Sequence, residues 1–263
     1  MLKQLAAILV TVSGMTALAP AQQPTQQDVA RTLRNGALND RHRAARDVLQ
    51  IPPEQRDEGL WGALTDELQR VASESHARID ALNAGRDVPS LGEDHGDYYR
   101  DLVEAVGQWP DRRALRPLIS AGGGMLATKG IVRFGEAAVP LLIEAARTGH
   151  TSEKGGALLA LQILLEGFPV EPHNIPPTAL SSPPREQILK LARELLRPGA
   201  TEWRDLPMEA GLALATGDQA LRDQVELLAR EPGLVAQFTG AGDPNEITRV
   251  QNAIRARLDR HKR

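Results

Sequence analysis

A short segment of this chain reads twice. Arg113 to Ile119 is RALRPLI and Glu136 to Leu142 is EAAVPLL, and laying Pro117 on Pro140 also lays Ala114 on Ala137 and Leu118 on Leu141. A proline set in a helical apolar pattern, recurring with its neighbours, marks helical hairpins. Each such unit buries its apolar face only against the next, so the chain is expected to stack hairpins into an irregular α-solenoid. In a regular helix interior each proline would cost up to about 3 kcal/mol. Two placements relieve that cost: a bend that curves the helix around its neighbour, or a first-turn position where the missing N–H is not needed.

Composition agrees with an all-α chain. Aromatic residues make up 3% of the sequence, too few for the Tyr-, Phe- and Trp-rich strands of a sandwich or barrel. The apolar content is mostly Ala and Leu, the strongest helix formers. Apolar spacings of three and four, broken by Gly and Pro, predict helices over 26–34, 38–49, 54–84, 98–109, 110–120, 125–134, 136–147 and 151–166. Asn39 or Asp40 is the expected cap of the second helix, and Pro110 the first-turn residue of the fifth. Residues 168–184 carry six prolines and read as an ordered connection into which Phe168, Val170 and Ile175 pack. Beyond it, helices are expected near 185–197, 207–215, 218–230 and 244–261.

The N-terminus predicts export. Lys3 precedes an uncharged Leu- and Ala-rich stretch to Leu18, followed by Ala19-Pro20-Ala21, the three parts of a signal peptide cleaved before Gln22. The stretch is shorter than the roughly 20 apolar residues that span a bilayer. The expected organisation is therefore a signal peptide over 1–21, a helical repeat block over 22–167, the connection over 168–184 and a second helical block over 185–263. With no cysteine, disulfides and thiolate metal sites are excluded.

The run Ala127 to Arg147 resembles a HEAT-type repeat, in which one helix ends at a Phe-Gly corner (Phe134-Gly135) and the next opens Ala-Val-Pro-Leu-Leu (Ala138 to Leu142). Asp40 with Arg43, and Asp218 with Arg222, are similar to that family's Asp-then-Arg helix starts. The Pro-to-Pro offset of 23 residues is shorter than the family period of about 40, so the array is irregular. The resemblance implies a right-handed stack of hairpins that binds or scaffolds proteins.

Chemical motifs are sparse. Gly92 to Asp97 gathers Asp94, His95 and Asp97 in one acidic loop that suits a hard or borderline cation, and equally suits Asp97 as the cap of a helix starting at Tyr98. Gly122 to Ala127 matches a dinucleotide pattern by letters but follows a helix, so it reads as a turn. The histidines are scattered and no serine stands in a Gly-x-Ser-x-Gly elbow. The basic end, Arg255 to Arg263, complements a helix dipole. A formal net charge of −3 gives no reason to expect nucleic acid, and no cofactor is implied.

Two functions follow: a non-catalytic exported module that holds another protein or peptide of the cell envelope, or a hydrolase-type enzyme whose site converges from distant residues. Trp109, Arg112, Arg116 and Arg133, at hairpin corners of the best-matching stretch, are the expected exposed contacts.

Overall fold

The computed structural model describes residues 24–89, 94–122, 124–171, 174–199, 202, 204–240 and 242–261. The expected signal peptide, Glu93, Gly123 and the last two basic residues lie outside them. Among the described residues the chain is all-helical, with α1 (Gln26–Asn35), α2 (Leu38–Leu49), α3 (Glu58–Asn83), α4 (Asp94–Gly107), α5 (Leu115–Ser120), α6 (Met125–Val132) and α7 (Val139–Thr148). There follow α8 (Thr151–Glu166), α9 (Ser182–Leu195), α10 (Leu206–Ala215), α11 (Gln219–Arg230), α12 (Pro232–Thr239) and α13 (Pro244–Arg260). No described helix is long and apolar enough to cross a membrane.

Local chemistry sets the ends. Thr25 and Asp28 cap α1 reciprocally, Asp57 accepts from the Leu60 N–H at 2.8 Å to start α3, and Asp218 accepts from the Leu221 N–H at 3.0 Å to start α11. Three boundaries differ from expectation. α2 starts at Leu38 without a side-chain cap. Pro110 stands outside the fifth helix, and Asp111 opens the 3₁₀ turn that leads into it by accepting from the Arg113 N–H at 2.8 Å. α4 begins at Asp94, so Asp97 lies inside its first turn and does not cap it.

The two repeated prolines share a device. A 3₁₀ turn over Arg112–Ala114 leads into α5, and another over Gly135–Ala138 leads into α7. Pro117 and Pro140 are thus the third and second residues of their α-helices, in the first α-turn, where a missing N–H costs little. Their neighbours are less alike, for Leu118 is fully buried while Leu141 is only partly covered and Leu142 takes the core position.

Helices pack on their second neighbours as well as their first. α1, α3, α5, α7 and α9 touch in succession, as do α2, α4, α6, α8 and α10. α11 and α12 fold back on α13, which returns to α10. One apolar core runs from Val29 to Leu258, and the contacts of α7 with α9 and of α8 with α10 carry it past the proline-rich connection. In that connection Phe168 and Ile175 exchange backbone hydrogen bonds and pack on the core, whereas Val170 stays exposed. Ion pairs link the odd-numbered row: Arg116 with Glu144 at 2.9 Å, Arg147 with Glu194 at 2.6 Å, and Arg193 with the α11 cap Asp218 at 2.7 Å. Exposed pairs of this kind contribute about 0.2–1 kcal/mol each.

Candidate functional site

The most developed surface feature lies where α3 begins and α4 ends. Trp61 and Trp109 stack with ring centroids 4.9 Å apart and planes 7° from parallel. Arg56 lies over the Trp61 ring at 5.1 Å and Arg113 over Trp109 at 4.8 Å, each placing its positive charge on the negative face of a ring. Trp109, expected as an exposed contact, is 5% exposed. A ring left at the corner by Pro110 folds back on Trp61 because burying both removes a large apolar area from water.

Two arginines close the end of α4. Arg56 donates to the Ala105 carbonyl at 3.2 Å, to Gln108 Oε1 at 2.7 Å and to the Ile51 carbonyl at 2.9 Å. Arg133, the residue capping α6, donates to the Gly107 carbonyl at 2.7 Å. The last carbonyls of a helix lack internal partners and carry partial negative charge, so guanidiniums there satisfy both needs. Burial lowers the Arg56 guanidinium pKa from its ordinary value, and Glu54 offsets this in part.

Above the tryptophans is a shallow cleft of about 870 Å³, walled by Arg56, Glu58, Arg113 and Arg133. At Glu58 it meets a second hollow against α1, lined by Arg31 and Arg34. At Gln108 and Arg133 it meets a third, between α4 and α6, lined by Leu126 and Lys129. The three hollows adjoin at these shared residues, and together they are called the groove. Of the expected contacts, Arg133 and Trp109 belong to it, joined by Arg56 and Arg113, which the corner argument missed. Arg112 is exposed beside it, and Arg116 is committed to Glu144.

Only part of the expected cation loop lies among the described residues. Asp97 pairs with Arg100 at 3.0 Å, the Asp94 side chain lies outside what is described, and no cluster of three or more His, Asp or Glu suited to a metal occurs among the described residues. A buried charge network was not anticipated. Glu67 on α3 accepts from Arg41 at 2.9 Å, from Arg70 at 2.6 Å and from the Tyr98 hydroxyl, and burial together with Glu67 raises the Tyr98 pKa. Its signal was Glu67 lying on the Leu60, Leu64, Leu68 and Val71 stripe. Between α8 and α10, burial alone would lower the Lys154 ammonium, but Asp205 at 2.8 Å and Glu209 at 3.0 Å hold it above its ordinary value.

A third cluster joins α3 to the start of α8. The His76 and His150 rings stack at 4.2 Å. His150 Nδ1 lies 3.0 Å from Ser152 Oγ, and Nε2 lies 3.0 Å from Asp80 Oδ1. His150 also accepts from the Ser152 N–H at 3.4 Å, which makes it the cap of α8. Ser, His and Asp are therefore in line, but Nδ1 is engaged by the helix end and Asp80 is largely exposed.

Comparison with known proteins finds no matching family model, no similar curated protein and no similar solved structure.

Proposed function

We propose that this chain is an exported, non-catalytic interaction module, a HEAT-like α-solenoid whose partner is another protein or peptide of the cell envelope. The observation that carries the reading is the two-row packing, each helix against its second neighbour from α1 to α10. Stacking of that kind lines up equivalent helix ends, and a solenoid uses such an extended edge for binding. The groove over Trp61 and Trp109 provides rigid aromatic area with arginines beside it, the residue types that dominate binding energy at interfaces. Affinity capture from envelope fractions tests the reading. The chain from Gln22 onward retains a reproducible partner, and a chain carrying Arg113→Ala and Arg133→Ala retains much less. Retention unaffected by both substitutions contradicts the assignment of the groove, and turnover of an envelope substrate contradicts the non-catalytic reading.

The hydrolase reading has one observation in its favour, the Asp80–His150–Ser152 line. Its test is labelling by a fluorophosphonate, which forms a covalent bond to an activated serine hydroxyl. Capping accounts for the same geometry, so no labelling at Ser152 is expected.

A further inference from the structure

We infer that the groove takes an extended acidic segment of the partner protein, an inference that rests on the interaction reading above and specifies its chemistry. The chain as a whole is acidic, with a formal net charge of −3, yet the groove gathers Arg31, Arg34, Arg56, Arg113, Lys129 and Arg133. The carboxylates among them are largely committed. Asp57 caps α3. Asp111 accepts from the Arg113 N–H and guanidinium, the latter at 2.8 Å, and Glu58 pairs with the same guanidinium.

The cations are less well matched. Arg34 donates to the Gly59 carbonyl at 3.3 Å, Arg133 to the Gly107 carbonyl, and Arg56 to two carbonyls and an amide oxygen. Among the described residues none of these three forms an ion pair with a carboxylate. Backbone dipoles orient the guanidiniums without neutralising them; Arg56 is buried with Glu54 acting on its charge, whereas Arg34 and Arg133 are exposed and keep attraction to spare for an incoming anion.

Arg34 lines the hollow on the α1 side of the cleft and Arg133 the one on its α4–α6 side. A small anion would meet one of them, whereas an extended chain with spaced carboxylates meets both. Two carboxylates also favour peptide over nucleic acid. Glu54 and Glu104 line the same hollows and would repel an unbroken row of phosphates.

The test is fluorescence anisotropy of a fluorescein-labelled peptide of Glu spaced by Gly and Ser, titrated with the chain from Gln22 onward at low salt. Binding is expected, weakened about tenfold or more by Arg34→Gln with Arg133→Gln, and weakened again by salt that shortens the screening length from about 10 Å to about 3 Å. Arg197→Gln with Arg249→Gln makes the same charge change at exposed positions outside the groove and leaves binding unchanged, while circular dichroism verifies the helix content of each variant. A Gln-for-Glu peptide bound as tightly, or a single-stranded oligonucleotide bound more tightly, overturns the acidic-peptide assignment. If no peptide binds while envelope capture retains a groove-dependent partner, the acidic chemistry falls and the interaction reading stands.

Discussion

Gly107 of α4 and Gly130 of α6 meet backbone to backbone. A Cβ added at Gly130 would lie 2.9 Å from the Gly107 Cα and 3.1 Å from a Leu118 methyl. The even-numbered row thus closes at a crossing that leaves no room for a side chain at Gly130, immediately beside the carbonyl that Arg133 caps.

Gly130→Ala therefore forces α4 and α6 apart. The expected loss is about 1–3 kcal/mol, the usual cost of overpacking, measured as a lower urea midpoint. The groove should loosen with it, because Gly107 and Arg133 move together. An unchanged midpoint would mean the helices do not cross this closely.

Glu67→Leu removes the carboxylate that Arg41, Arg70 and Tyr98 share. Arg41 is left mostly buried without its counter-charge, and breaking a buried pair this way costs about 3–5 kcal/mol. Changing Glu67 and Arg41 together to apolar residues should recover much of that, which a double-mutant cycle measures.

Acid should destabilise the fold through His76. Burial, then the neighbouring His150, lowers its pKa from the ordinary 6.5, against smaller opposite effects of Glu153, the Ser120 carbonyl and Asp80. The folded state prefers the neutral ring, so the unfolded chain binds more protons between the lowered value and 6.5. Stability is present above 6.5 and lost as pH falls through the depressed value. Burial lowers His261 in the same direction, with Glu166 opposing. Urea midpoints at about pH 7.5 and 5.5 should separate more in the wild type than in His76→Gln, and equal separations would exclude His76 as the cause.

Leu118, Ile131, Leu158 and Leu161 are fully or almost fully buried, and truncating any one to Ala should cost about 2–5 kcal/mol. Amide exchange should show the loss spreading to the second-neighbour helices as well as the adjacent ones, since those share the interface.

Periodicity and punctuation made most helices legible, because a stripe such as Leu60 to Val71 and a stop such as Asn35-Gly36 act locally. α12 was missed: its first residues, Pro232 and Gly233, are turn formers, and its 8 residues are too few for a period to show. The groove was legible only in part. Arg133 and Trp109 stand out as corner residues, but Arg56 precedes a long helix and Trp61 lies in its first turn, and nothing local indicates that Trp109 folds onto them. Which carbonyls an arginine caps is a property of helix ends brought together from distant parts of the chain.

The most direct test of the interaction reading is a photo-cross-linking residue placed at Glu54, exposed on the wall of the groove, in cells that make the protein. The account predicts a discrete cross-linked partner that disappears when Arg113→Ala and Arg133→Ala are added. A partner captured instead from Leu227, exposed on α11 outside the groove, with nothing captured at position 54, would contradict it.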